Sequence, residues 1–136
     1  MKKLLAVTLS IFAFATVSFR PSGSLPAASP KVEAYYFHFT SRCNTCRTIE
    51  EQAKKDIEEL YPALVKKGKI TFKSINLDEG DAKPLAEKLN VKAQTLLIVA
   101  GNQKVNITNE GFRYAVGQPD KFKAIIKGKI DELLKQ

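Results

Sequence analysis

Hydrophobic and polar residues along the chain predict strands in three regions. Val32 to Phe39 is dense in aromatic and β-branched residues and contains neither Gly nor Pro, which predicts a buried strand. Lys69 to Leu77 begins by alternating apolar and polar residues, the period of a strand covered on one face. The apolar run Thr95 to Ala100, the turn at Gly101 and the alternation from Lys104 to Thr108 predict a hairpin.

Three other segments carry apolar residues at spacings of three and four, the period of one helix face. The first runs from Cys43 to Lys67, and we expect a kink or break at Tyr61 because Pro62 disfavours helical geometry before it. The second is a short helix over Ala82 to Leu89. The third, over Pro119 to Leu134, is amphipathic and closes the chain.

The resulting order is β, α, β, α, β, β, α. Parallel strands joined through a helix need a right-handed crossover, and the final hairpin adds an antiparallel edge. We therefore predict an α/β fold with a mixed sheet of about four strands flanked by helices. The chain has 136 residues, 44% of them hydrophobic, enough for one core, so residues 31–136 are predicted to form a single domain.

The first thirty residues have a different composition. Lys2 and Lys3 precede an uncharged apolar run, so residues 1–19 are predicted to be a signal peptide or an N-terminal anchor. Residues 20–30 contain three prolines and indicate a linker or cleavage region. We expect an exported protein of the bacterial periplasm or cell envelope, which contacts a membrane only through this segment if it is uncleaved.

Charge changes this picture little. The formal net charge is +8, but Lys2, Lys3 and Arg20 precede the domain, which leaves 19 basic and 14 acidic residues. The lysines are scattered next to acidic residues rather than arranged in a stripe with aromatic residues. This pattern is typical of a solvated surface and does not favour nucleic-acid binding.

Candidate chemistry lies in the only two cysteines, Cys43 and Cys46, at the junction of the first strand and the long helix. In an exported protein this C-x-x-C spacing indicates a local disulfide or a reactive dithiol. A helix N-terminus lowers the pKa of a thiol, and the flanking Arg42 and Arg47 are candidate auxiliary residues that would favour the thiolate. A stabilised thiolate makes a dithiol more oxidising.

Other interpretations of this segment stay open. A purely structural disulfide would restrain little of the chain, because the loop is so short. Soft ions such as copper or arsenite bind thiolates, so a two-thiolate site for them stays open. The chain has one His and no second Cys pair, so a closed four-ligand zinc site within one chain would need carboxylates. We predict no metal ligand set. His38 is either an auxiliary proton carrier or ligand, or a partly buried strand histidine. Strand alternation places Phe37 and Phe39 on the other face from it and favours the second interpretation.

The element order, with C-x-x-C where the first strand meets the long helix, resembles the thioredoxin fold over residues 31–136. The string Y-Y-F-H-F-T-S-R-C-N-T-C-R is similar to small exported bacterial thioredoxin-like proteins grouped as the ArsF, or nitrophenyl compound nitroreductase subunit, family. The resemblance implies that Cys43 attacks and Cys46 resolves. It also implies a substrate-binding role for Gln94, Thr95 and Gly117, which match the loop and the glycine that line the thioredoxin site.

Two positions depart from the thioredoxin pattern. Gln94 stands where the family has a cis-proline, so we expect a trans peptide and an altered substrate contact. Phe37 stands where thioredoxins have a buried aspartate that assists proton transfer at the resolving thiol.

Together these features predict a thiol:disulfide oxidoreductase that acts outside the cytoplasm. It would need no cofactor beyond protein thiols or disulfides, or a redox partner protein. The alternative is a soft-metal binding protein, or an accessory redox subunit, built on the same scaffold.

Overall fold

The computed structural model describes residues 31–136. The predicted signal peptide or anchor and the predicted linker lie outside these residues. The elements in chain order are β1 Val32–His38, α1 Asn44–Leu60, α2 Pro62–Lys66, β2 Ile70–Asn76, α3 Ala82–Leu89, β3 Thr95–Ala100, β4 Gln103–Asn106, α4 Thr108–Tyr114 and α5 Pro119–Leu134. None of the helices within residues 31–136 has both the length and the apolar character needed to cross a membrane.

The four strands form one mixed sheet in the order β2-β1-β3-β4. β1 is parallel to β2 and antiparallel to β3, and β4 is the antiparallel edge partner of β3. Gly101 has a positive φ of 56° in the β3–β4 turn, a conformation that glycine adopts at no steric cost. The predicted α/β class, with a four-stranded mixed sheet flanked by helices, is confirmed.

The sheet separates two apolar layers, because alternate residues of β1 point to opposite faces. Ala34 and Tyr36 belong to the larger core, which includes residues of α1 and α5. Tyr35 and Phe37 belong to a smaller cluster that includes Ala86 of α3. β1 is therefore buried on both faces, which explains its nearly continuous apolar sequence. The same alternation assigns Tyr36 to the α1 side of the sheet.

The break predicted near Pro62 is confirmed. Tyr61 separates α1 from α2 with φ −131° and ψ 47°, outside the helical region. Pro62 begins α2, where its missing N–H removes no helical hydrogen bond.

The strand predicted over Lys104 to Thr108 is wrong at its end, because β4 stops at Asn106 and Thr108 begins an unpredicted helix, α4. Asn106 Oδ1 accepts hydrogen bonds from Thr108 N at 3.0 Å and Thr108 Oγ1 at 2.6 Å, which turns the chain locally. Thr108 Oγ1 in turn accepts a hydrogen bond from Leu96 N at 2.8 Å. The start of α4 is thereby held at the start of β3.

Candidate functional site

The two cysteines form a disulfide at the beginning of α1, with Cα atoms 5.1 Å apart. Cys43 is the N-cap residue, in extended conformation, and its Sγ accepts a hydrogen bond from Cys46 N at 3.1 Å. Cys43 is exposed, whereas Cys46 is only 5% exposed. The pair therefore has one sulfur-bearing residue at the surface and one behind it.

This position favours a thiolate on Cys43 in the reduced protein. The first turn of a helix presents unpaired N–H groups and the positive end of the helix dipole. The first turn of α1 contains no acidic residue to oppose that field. A lowered thiol pKa at an exposed residue is the condition for attack on a disulfide.

The two flanking arginines differ in their surroundings. Arg42 bonds to Glu50, and both side chains are about one-fifth exposed, at 21% and 18%. The carboxylate offsets the Arg42 charge, so the expected support for the thiolate is weaker than the sequence predicts. Arg47 is exposed and makes no ion pair with any residue from 31 to 136.

His38 is 8% exposed and lies with its ring stacked on that of Tyr36, with centroids 6.1 Å apart. Its Nδ1 lies 3.0 Å from the Phe39 carbonyl and its Nε2 lies 2.9 Å from Ser74 Oγ. Because a carbonyl only accepts, a neutral ring carries its proton on Nδ1 and accepts from Ser74 through Nε2. Both nitrogens thus have partners that hold the ring in place, as expected of a buried strand histidine.

Gln94 reaches the dithiol through one intermediary. Its Nε2 donates to Tyr36 Oη at 2.6 Å, and Tyr36 Oη donates to the Cys46 carbonyl at 2.8 Å. The expected trans peptide at Gln94 is confirmed, since no peptide bond in residues 31–136 is cis.

Thr95 and Gly117 are placed differently from Gln94. Thr95 pairs with Phe37, so its side chain lies on the α3 face of the sheet, opposite Tyr36. Gly117 is exposed between α4 and α5, where an added Cβ would meet no atom within 4 Å. Their role in substrate binding stays a prediction.

Two clefts on the surface lie away from the cysteines. A cleft of about 440 Å³ lies between α4 and α5, and one of about 570 Å³ lies beside β3 and includes Thr95. Neither is lined by Cys43 or Cys46. Within residues 31–136 no three His, Cys, Asp or Glu residues come together as a metal-binding group.

Comparisons with known proteins find similarity only among solved structures. No family model matches the chain, and no curated protein sequence matches it. Thioredoxin O2 from Arabidopsis thaliana in its oxidised state is 22% identical, with a TM-score of 0.49 over 74% of this chain and 75% of that one. The thioredoxin from Wuchereria bancrofti is 20% identical, with a TM-score of 0.40 over 74% and 83%. A malarial protein is 21% identical, with a TM-score of 0.39 over 54% and 74%.

The fold assignment rests on the chain's own topology. The strand order is β2-β1-β3-β4, helices cover both faces, and the dithiol begins the helix that follows β1. The chain has the thioredoxin fold. The narrower resemblance to the ArsF group gains no support from the comparisons and stays a prediction.

Three residues near the dithiol were not identified from the sequence. Tyr36 lies in the strand predicted to be buried, and its hydroxyl donates to the Cys46 carbonyl. Burial raises the pKa of that hydroxyl to about 12, against the opposing Arg42 charge, so it stays protonated near neutral pH. Glu50 lies one turn beyond Cys46 on α1 and bonds Arg42. Gly111 of α4 packs directly on Ile49 of α1. For Glu50 the sequence offered one signal, because the i, i+4 spacing places it on the same helix face as Cys46.

Proposed function

We propose that this protein is an exported thiol:disulfide oxidoreductase in which Cys43 attacks and Cys46 resolves. The observation that carries the proposal is the asymmetry of the pair. Cys43 is exposed at the N-cap of α1, and Cys46 is 5% exposed behind it. An attacking thiolate must reach its substrate, whereas a resolving thiol needs to reach only its neighbour.

The exchange proceeds in two displacements. The Cys43 thiolate attacks one sulfur of a substrate disulfide, an S–S bond forms, and the other substrate sulfur leaves as a thiolate that takes a proton from water. Cys46, once deprotonated, then attacks Cys43 Sγ and releases the first substrate sulfur in the same way. The substrate gains two electrons and the protein becomes the disulfide, and the reverse sequence oxidises a substrate dithiol.

The surroundings of Cys43 favour a protein or peptide as substrate. The cysteine lies at an exposed helix end rather than in either of the clefts beside α5 and β3. An extended segment carrying a cystine can approach such a surface without entering an enclosed pocket.

Export is supported by the N-terminal sequence. Lys2 and Lys3 precede the apolar run of a signal peptide or anchor, and residues 20–30 provide a cleavage or linker region. We infer a location in the periplasm or cell envelope of a bacterium, where a C-x-x-C pair can remain oxidised between cycles. Membership of the ArsF group belongs to this proposal as well.

Redox cycling of the mature protein tests this proposal. We expect the wild type to exchange its disulfide with a glutathione buffer at a defined potential, and to catalyse reduction of a disulfide-linked peptide by dithiothreitol. Cys43→Ser should remove the catalysis, with the rate measured by chromatography of the peptide. A wild type that never cycles, but binds copper(I) or arsenite stoichiometrically when reduced, would instead support the soft-metal alternative and overturn the redox function.

A further inference from the structure

A hydrogen-bonded chain connects the start of β3 to the first turn of α1. Gln94 Nε2 donates to Tyr36 Oη at 2.6 Å, across 58 positions of sequence, and Tyr36 Oη donates to the Cys46 carbonyl at 2.8 Å. Tyr36 itself is 0% exposed on the central strand. The hydroxyl therefore lies between a loop residue and the backbone of the inner cysteine.

The direction of each proton in this chain follows from the groups present. The Cys46 carbonyl only accepts, so the single proton of Tyr36 Oη points to it. The remaining capacity of the hydroxyl is as an acceptor, so Gln94 must present its amide NH₂ rather than its oxygen. A side chain at position 94 that can only accept would compete with Cys46 for the same proton.

We propose that Gln94 is a positioning residue that acts on the dithiol through Tyr36, an assignment that rests on the proposed redox function. By fixing the Tyr36 hydroxyl, Gln94 holds the Cys46 carbonyl in place. Cys46 also donates its backbone N–H to Cys43 Sγ, at 3.1 Å. The side chain of Gln94 thus affects the position of the Cys46 backbone in the first turn of α1.

The consequence lies in the stability of the reduced form. A hydrogen bond from Cys46 N to Cys43 Sγ favours the thiolate over the thiol. If the Cys46 carbonyl loses the hydrogen bond from Tyr36 Oη, the hydrogen bond from Cys46 N to Cys43 Sγ weakens. The pKa of the Cys43 thiol then rises and the dithiol becomes more reducing. The Arg42 and Glu50 charges lie near the same hydroxyl, so the test needs variants that separate charge from hydrogen bonding.

Three variants of the full chain carry the test, with the equilibrium constant against glutathione as the readout. Tyr36→Phe removes the hydroxyl and should shift the equilibrium toward the disulfide by about three- to tenfold; tenfold corresponds to about 30 mV. Gln94→Glu keeps the side-chain shape but turns a donor into an acceptor, and should shift the constant at least as far. Gln94→Met removes the donor without adding charge and should shift it less, in the same direction.

A double-variant cycle separates action through Tyr36 from a direct effect of the new charge. In the Tyr36→Phe background, Gln94→Met should cause no further shift, and Gln94→Glu should cause only the shift due to its charge. The pKa of Cys43, followed by alkylation rate against pH, should rise with Tyr36→Phe. Full additivity of the shifts, or an unchanged constant in Tyr36→Phe with the fold intact by circular dichroism, would overturn the proposal.

The outcome is independent of whether the protein acts on a substrate. The equilibrium with glutathione is a property of the Cys43 and Cys46 pair, so it can be measured even if no disulfide peptide is reduced. If the wild type catalyses no reduction of the disulfide peptide, the proposed function is refuted. The equilibrium constant against glutathione still decides the role of Gln94.

Discussion

Asp56 on α1 lies on the buried face of the helix, with 0% of the residue exposed. Its Oδ1 accepts a hydrogen bond from Gln52 Nε2 at 2.9 Å, and within residues 31–136 its Oδ2 has no hydrogen-bond partner. Burial raises the pKa of this carboxyl, although Gln52 and the nearby Lys123 charge act in the opposite direction. The ionised form is therefore a cost to the folded state.

The sign of the pH dependence follows from that raised pKa. Relative to its ionised form, protonated Asp56 stabilises the fold at pH values below the pKa of Asp56 in the unfolded chain. This contribution is lost as pH rises through the pKa of Asp56 in the folded protein. We expect Asp56→Asn to be more stable than wild type by about 1–2 kcal/mol near neutral pH, and the difference to shrink toward about pH 4. Urea unfolding of both proteins across this range measures it.

Glu58→Gln is the matched control, because Glu58 is an exposed acid on the same helix. It should change stability by only a few tenths of a kcal/mol, about the value of a surface ion pair. A constant stability difference for Asp56→Asn from acid to neutral pH would contradict a raised pKa.

Single residues could be assigned from the sequence only where a local pattern marks them. The C-x-x-C spacing identified the pair Cys43 and Cys46, and strand alternation favoured a structural role for His38, which stays a prediction. The sequence did not identify Tyr36 or Glu50 as members of the site. Their partners are set by tertiary packing, and a tyrosine in an apolar strand resembles any other core residue.

At the scale of elements, α4 packs on α1 through Gly111. A Cβ at this position would lie 2.9 Å from Ile49 Cγ2, closer than real Cβ contacts. Ile49 is 0% exposed and lies one turn beyond Cys46, so α4 supports the part of α1 that carries the dithiol. Glycine is needed here for close approach of the two helices.

Gly111→Ala should destabilise the protein by about 1–3 kcal/mol, because overpacking exceeds the gain in helix propensity. The comparison is Gly128→Ala in α5, where an added Cβ meets no atom within 4 Å. That substitution should stabilise by up to about 1 kcal/mol. Thermal or urea unfolding gives both values, and equal effects of the two substitutions would refute the packing role of Gly111.

The elements with strong periodicity were predicted with bounds within about one residue, and α3, β3 and α5 match. α4 was missed for two physical reasons. It has seven residues, of which only Gly111 is buried, so it carries no apolar stripe to distinguish it from a loop. The alternation of Val105 and Ile107 also continues past the end of β4. The turn that ends this strand depends on side-chain hydrogen bonds of Asn106, which the apolar pattern does not show.

For the molecule as a whole, the sheet topology determines where the site lies. β1 is paired on both sides, so the helix that follows it starts at one end of the central strand. β3 begins beside the end of β1, with Thr95 opposite Phe37, and this brings Gln94 to the same end. The fold class could be predicted because element order and handedness leave few arrangements, whereas the contact between Gln94 and Tyr36 depends on the register between β1 and β3.

Trapping the mixed disulfide tests the roles of Cys43 and Cys46 most directly. When the reduced proteins are treated with oxidised glutathione, Cys46→Ser should accumulate one glutathione on Cys43, seen by intact mass. Reduced wild type should accumulate none, because Cys46 resolves the adduct and leaves the Cys43–Cys46 disulfide. Cys43→Ser should form its adduct at least about tenfold more slowly than Cys46→Ser, since Cys46 is buried. If Cys43→Ser forms its adduct as fast as Cys46→Ser, or if wild type retains the adduct, the assignment of Cys43 as attacking and Cys46 as resolving residue is contradicted.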